Sequence, residues 1–160
     1  MSKIYSLHKV QILPVKIEDA WQFFSSPENL KTITPANLGF QILTTRHGDE
    51  MYAGQLIEYT VKPLLGIPLY WMTEITHVKP MAYFIDEQRF GPYSFWHHQH
   101  HFREVDGGTE MTDIVHYKIP FWFFGDIANS LFVKSQLKRI FDYREEVTIK
   151  KFGRSPEPAK

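Results

Sequence analysis

Between Phe84 and Tyr117 apolar and polar residues alternate with a period of two, in three segments parted by Gly91-Pro92-Tyr93 and Asp106-Gly107-Gly108-Thr109. Period two is the signature of a strand, so the stretch predicts three consecutive antiparallel strands. The two glycines predict a two-residue hairpin loop with positive φ at both central positions. That loop pairs Val105 with Glu110, Phe102 with Asp113, His100 with Val115 and His98 with Tyr117. Directly opposed side chains share a face. One face therefore carries Trp96, His98, His100 and Phe102 with Met111, Asp113, Val115 and Tyr117. The other carries His97, Gln99, His101 and Arg103 with Thr112, Ile114, His116 and Lys118. A three-residue loop at Gly91-Pro92-Tyr93 sets Asp86 opposite His98 and Gln88 opposite Trp96, and points Phe84 and Phe90 inward. A plain core has no need of imidazoles and carboxylates among its aromatics, whereas a cavity wall with fixed polar points does.

Elsewhere the pattern is simpler. Ile4–Leu13 alternates as a strand with weak face discrimination, ended by Pro14. Ile17, Ala20, Trp21 and Phe24 recur at helical spacing and predict a short helix over Ile17–Ser25. Ser26-Pro27 predicts a cap and first-turn proline for a second short helix to about Ile33, stopped by Pro35. Strands follow at Phe40–Arg46, Gly54–Lys62 and Leu69–Val78, with a turn at Gly48-Asp49 and an apolar loop over 63–68. Met72 and Glu74 are taken as facing the cavity. After the apolar connector 121–124, Asp126 opens a long helix to about Phe152, closed by Gly153. Its stripe is Val133, Leu137, Ile140, Phe141, Arg144 and Val147. An antiparallel sheet of about seven strands, two short helices after the first strand and one long terminal helix make an α+β class.

Composition narrows the partners. The chain has 160 residues, enough for one domain with a sizeable core, read as 1–153 with a disordered tail at 154–160. Lys plus Arg and Asp plus Glu stand at 18 each, so no net field recruits nucleic acid. Four histidines within Trp96–Phe102 do not alter that balance, and nucleic acid is not an expected partner. Cysteine is absent, which excludes disulfides and thiol chemistry and suits a reducing cytoplasm. No run of about 18 apolar residues is present to span a bilayer, and no signal peptide is visible after Met1. A cytoplasmic location is expected.

Three constellations carry chemistry. His98-x-His100 places two imidazoles on one strand face, spaced to ligate a metal with Asp113, Asp86 or Glu74, or to form a hydrogen-bonded cavity pair. With no motif pinning a third ligand, neither metal nor cofactor is expected. Asp86, Asp113 and Arg144 are charges facing inward: an anchor for a polar head group, an acid–base set, or a structural ion-pair set between sheet and long helix. The catalytic candidates are His98, His100 and Asp113, with no nucleophile motif beside them. The apolar segments 63–68 and 121–124 are a candidate gate or homodimer contact.

The motifs Trp71-x-x-Glu74-Ile75, Phe84-x-Asp86-Glu87-Gln88, Gly91-Pro92-Tyr93 and Trp96-x-His98-x-His100-x-Phe102 resemble a bacterial ligand-binding branch of the SRPBCC superfamily, which holds START, birch-pollen-allergen-like and polyketide-cyclase proteins. Asp113-x-Val115-x-Tyr117-x-x-Pro120 and Phe141-Asp142-Tyr143-Arg144 continue the likeness over nearly the whole chain. Relatives of that branch also occur as the SRPBCC domain of cell-division-inhibitor fusions. The resemblance implies a helix-grip fold, with a curved sheet around the long helix and a cavity between them. Superfamily members bind lipids, hormones, quinones and polyketides. The expected function is binding of a small, largely hydrophobic molecule with a polar head. The expected contacts are Met72, Glu74, Asp86, Gln88, Trp96, His98, His100, Phe102, Asp113, Tyr117, Phe141 and Arg144. A cyclase, hydratase or hydrolase using cavity His and Asp, and an interaction module using the apolar loops, stay open as alternatives.

Overall fold

The computed structural model describes residues 3–44, 50–64, 66–120 and 126–155. Strand β1 (Tyr5–Leu13) leads into helix α1 (Ile17–Phe24) and two single-turn 3₁₀ segments, Pro27–Leu30 and Ala36–Leu38. Six strands follow: β2 (Gln41–Ile42), β3 (Gln55–Leu64), β4 (Ile67–Lys79), β5 (Tyr83–Phe90), β6 (Phe95–Val105) and β7 (Gly108–Lys118). Helix α2 (Asp126–Phe152) ends the fold, and Gly153, at φ 94°, closes it with an N–H bond to the Ile149 carbonyl. The strands form one antiparallel sheet in the order β1-β7-β6-β5-β4-β3-β2. This is the α+β helix-grip arrangement. The expected second helix is a 3₁₀ turn, and Ser26 makes no side-chain cap there. The turn at Gly48-Asp49, the connector 121–124 and the tail beyond Ser155 lie outside the described residues.

The β6–β7 hairpin differs from its expected register by two residues. Val105 pairs with Gly108, Phe102 with Met111, His100 with Asp113 and His98 with Val115. The central turn residues are Asp106 and Gly107, and only Gly107, at φ 84°, takes the left-handed conformation. Gly108 is needed for another reason. A Cβ there would lie 2.0 Å from the Leu13 carbonyl oxygen of neighbouring β1, and its φ is 149°. A two-residue shift preserves side-chain parity, so the expected grouping of faces survives although the partners change. Gly108→Ala is expected to cost about 1–3 kcal/mol from strain and overpacking. Gly107→Ala, with nothing within 4 Å of its Cβ, should cost less. Urea unfolding of the two variants checks the order.

On the other side of the sheet two bulges decide the parity. β5 carries an extra residue, Arg89, between the pairs Thr73–Gln88 and Met72–Phe90. β4 carries an extra Thr76 between Ile75–Asp86 and His77–Ile85. Asp86 does stand opposite His98, as the three-residue loop implied. Phe90, however, is turned outward and is 62% exposed, against the expectation that it points inward. The same parity puts Trp71, Thr73 and Ile75 on the concave face and sends Met72 and Glu74 to the convex one, where Glu74 accepts a hydrogen bond from Arg89. A bulge breaks the simple alternation of inward and outward side chains along a strand. The expected loop 63–68 is instead the end of a hairpin, with Leu64 paired to Ile67. Its Leu65 and the side chains of Pro63 and Leu64 lie outside the described residues.

α2 is held across the concave face at β1 by polar contacts. Lys9 reaches Glu145 at 2.6 Å and Asp142 at 3.4 Å, and Gln11 donates to Thr148 Oγ1 at 2.6 Å. This explains the weak face discrimination of β1: its inward residues are partly polar because they grip the helix. No helix among the described residues is long and apolar enough to cross a membrane.

Candidate functional site

The sheet and α2 enclose a cavity of about 240 Å³. β4 contributes Trp71, Thr73 and Ile75, β5 Phe84 and Asp86, and β6 Trp96, His98 and His100. α2 supplies Leu137, Ile140, Phe141 and Arg144, a face at i, i+3, i+4 and i+7 spacing. Phe24, Leu30 and Ile33 close one end.

The expected site residues separate into three groups. Asp86, Trp96, His98, His100, Phe141 and Arg144 line the cavity together. Gln88, Phe102, Asp113 and Tyr117 face the same side of the sheet but stop short of it. Gln88 folds over the β5–β6 turn, donating to the Tyr93 carbonyl at 2.6 Å. Phe102 packs edge-on against Trp21 in the core, and Tyr117 stacks on Tyr5. Asp113 lies behind the histidines. Met72 and Glu74 are on the far face, as described.

Four charged or titratable side chains close into a ring. His98 Nε2 and His100 Nδ1 each lie 2.9 Å from Asp113 Oδ1. On the other side, His98 Nδ1 is 3.4 Å and His100 Nε2 3.0 Å from Asp86 Oδ2. The imidazole centroids are 3.7 Å apart. His98, His100 and Asp113 are only 4%, 6% and 5% exposed. Strand pairing explains the ring: Asp86 is opposite His98, and His100 is opposite Asp113. Trp96 Nε1 donates to Asp86 Oδ1 at 3.3 Å, and Phe84 stacks on His100 at 4.1 Å. The His100 Nδ1 contact is close but misdirected, so this nitrogen is buried without a hydrogen bond.

The ring sets the protonation states. Burial disfavours ionised Asp86 and Asp113, but the adjoining imidazoles outweigh it and hold both carboxyls below their usual range. Burial also works against a charged His100, yet the two carboxylates outweigh it and raise its pKa. For His98, burial and repulsion from His100 prevail, and its pKa is lowered. Asp113 is buried, does not line the cavity, and lies against the two histidines that do. Among the expected catalytic candidates, only His98 and His100 can touch a cavity-bound molecule.

Beside His100 Nδ1, two further buried nitrogens in the cavity wall have no hydrogen-bond partner among the described residues. Arg144 Nε is buried without a hydrogen bond, its guanidinium 4.8 Å from the Phe141 ring centroid. Among the described residues no carboxylate pairs with it, so of the alternatives open for Asp86, Asp113 and Arg144 the sheet-to-helix ion pair finds no support at Arg144. Trp71 Nε1 is the second buried, unbonded donor. Trp71 belongs to an aromatic group with Tyr59 at 5.7 Å, Tyr93 at 5.4 Å and Trp96 at 5.3 Å. Tyr59 bonds Thr73 at 3.0 Å, and burial pushes its phenol pKa up. Neither Tyr59 nor Trp71 is among the contacts expected from the sequence. Their alternation was visible, but nothing local told which face of β3 and β4 turns inward.

No family model and no curated protein matches this chain. Solved structures do. A protein from Rhizobium leguminosarum superposes with TM-score 0.67 at 16% identity, covering 94% of this chain and 97% of its own. Ara h 8.0201 superposes with TM-score 0.60 at 14% identity, covering 92% and 99%. Major latex-like protein 151 from Panax ginseng superposes with TM-score 0.61 at 13% identity, covering 89% and 96%. At these identities the likeness shows the fold, a helix-grip arrangement of seven antiparallel strands and a C-terminal helix.

Proposed function

We propose that the protein binds a small, largely apolar molecule through an anionic head. The observation that carries this reading is Arg144, a cation set in an apolar cavity wall with Nε buried and unbonded. Burying a charge or a polar donor without a partner costs free energy. The Phe141 ring offsets part of that cost, and an anionic ligand would offset the rest. Trp71 Nε1, a second unbonded donor, asks for an acceptor too. The apolar body would lie against Trp71, Trp96 and Ile140. At about 240 Å³ the cavity falls below the ~300–1,000 Å³ usual for drug-sized ligands, which favours one or two rings or a short acyl chain.

Isothermal titration of metal-free protein with octanoate and with its methyl ester tests this. The parent should prefer the carboxylate at least tenfold, and Arg144→Gln should abolish the preference. Equal affinity of the parent for acid and ester, or no saturable binding of either, would remove the assignment.

A further inference from the structure

We propose that Asp86 Oδ2, His98 Nδ1 and His100 Nε2 form a binding site for a divalent first-row transition-metal ion, open toward the cavity. The donor groups lie within 4.8 Å of one another. The two nitrogens are 3.4 and 3.0 Å from the shared carboxylate oxygen. Donors around a tetrahedral zinc, with bonds of ~2.0–2.1 Å, stand roughly 3.3 Å apart. Two of the three donor separations match that spacing, and rotating the rings to bring their two nitrogens together would seat an ion.

The surroundings fit the same reading. A ligating histidine normally gives its other ring N–H to a carboxylate, which fixes its tautomer. Here His98 Nε2 is hydrogen-bonded to Asp113 Oδ1 at 2.9 Å, and His100 Nδ1 lies at the same distance from that oxygen, one ring rotation away from a hydrogen bond. Trp96 occupies the second oxygen of Asp86 and leaves Oδ2 aimed at the rings. Of the two carboxylates, only Asp86 lines the cavity, which assigns it as the ligand and Asp113 as the supporting residue.

Hydrogen accounting leads to the same site. All four ring nitrogens lie against carboxylate oxygens. A neutral imidazole has one N–H and one lone pair, so a neutral ring here presses a lone pair on an oxygen, while protonating both rings would set two cations 3.7 Å apart. A divalent cation resolves this. Each neutral ring then gives its lone pair to the ion and its N–H to Asp113, and two carboxylates balance the charge. Two nitrogens and one oxygen suit zinc, iron or cobalt rather than calcium or magnesium. Three protein ligands leave a position open on the cavity side.

The test is zinc and cobalt titration of protein dialysed against a chelator, with no organic ligand present, so that it stands apart from the octanoate experiment. One equivalent is expected to bind, and Asp86→Asn and His98→Gln should each weaken it at least tenfold. The exterior pair His97 and His116, with ring centroids 6.2 Å apart, is the control: His97→Gln with His116→Gln should leave the affinity unchanged. Should a ring variant fail to fold, histidine ¹⁵N spectra of the parent decide. Two of the eight histidines should show metal-bound nitrogens, and they should be His98 and His100. No stoichiometric binding, or loss of it only in the exterior variant, would overturn the site.

Discussion

Asp113→Asn is expected to destabilise the metal-free protein by about 3–5 kcal/mol, the cost of removing one partner from a buried charge pair. For a domain of this size that lowers Tm by roughly 6–20 °C. The side chain is buried, touches both His98 and His100 at 2.9 Å, and is the one carboxylate behind the rings. Asparagine keeps the volume, so the loss is electrostatic and not a cavity effect. The sign of the pH dependence follows. The folded pKa of Asp113 lies below its unfolded value, so its contribution is fully present above about pH 4 and fades as pH falls through the folded value. The gap in Tm between parent and variant should therefore hold from neutrality to about pH 4 and close below it. A gap of under 1 kcal/mol at pH 7 would mean that the ring adds little to the fold.

Trp96→Ala separates a binding cavity from a core. Trp96 is only half-buried, yet it touches Trp71, Tyr93 and His98 and holds Asp86 Oδ1. If its ring served only as packing, removal should cost the ~3–5 kcal/mol of a large-to-small core change. As a partly exposed cavity wall it should cost less than that in urea unfolding. Octanoate affinity, in contrast, should fall tenfold or more, because the apolar body loses a wall and Asp86 loses its donor. A full core-sized destabilisation in a parent that takes up no ligand would favour plain packing.

The fold was legible because its signals are local. Gly107 marks a hairpin, Ile17, Ala20 and Phe24 mark a helix face, and Gly153 ends α2. The concave face of β6 and β7 was legible for the same reason, since parity tolerates a two-residue error in register. Met72, Glu74 and Phe90 were misplaced because parity does not tolerate a bulge. The extra Arg89 and Thr76 carry no turn residue to announce them. The ring itself was half visible. His98-x-His100 could be read from spacing, whereas Asp86 and Asp113 join it only through pairings between strands. The isolation of Arg144 was not legible at all, because it depends on which carboxylates the histidines already occupy.

The most direct measurement is a crystal structure of the protein with 8-bromooctanoate, located by the anomalous signal of bromine. The carboxylate should lie within hydrogen-bond reach of Arg144, with the bromine between the sheet and α2 near the Trp71–Trp96 wall. Bromine found only on the convex face around Phe90, with the space between sheet and helix empty, would contradict the account.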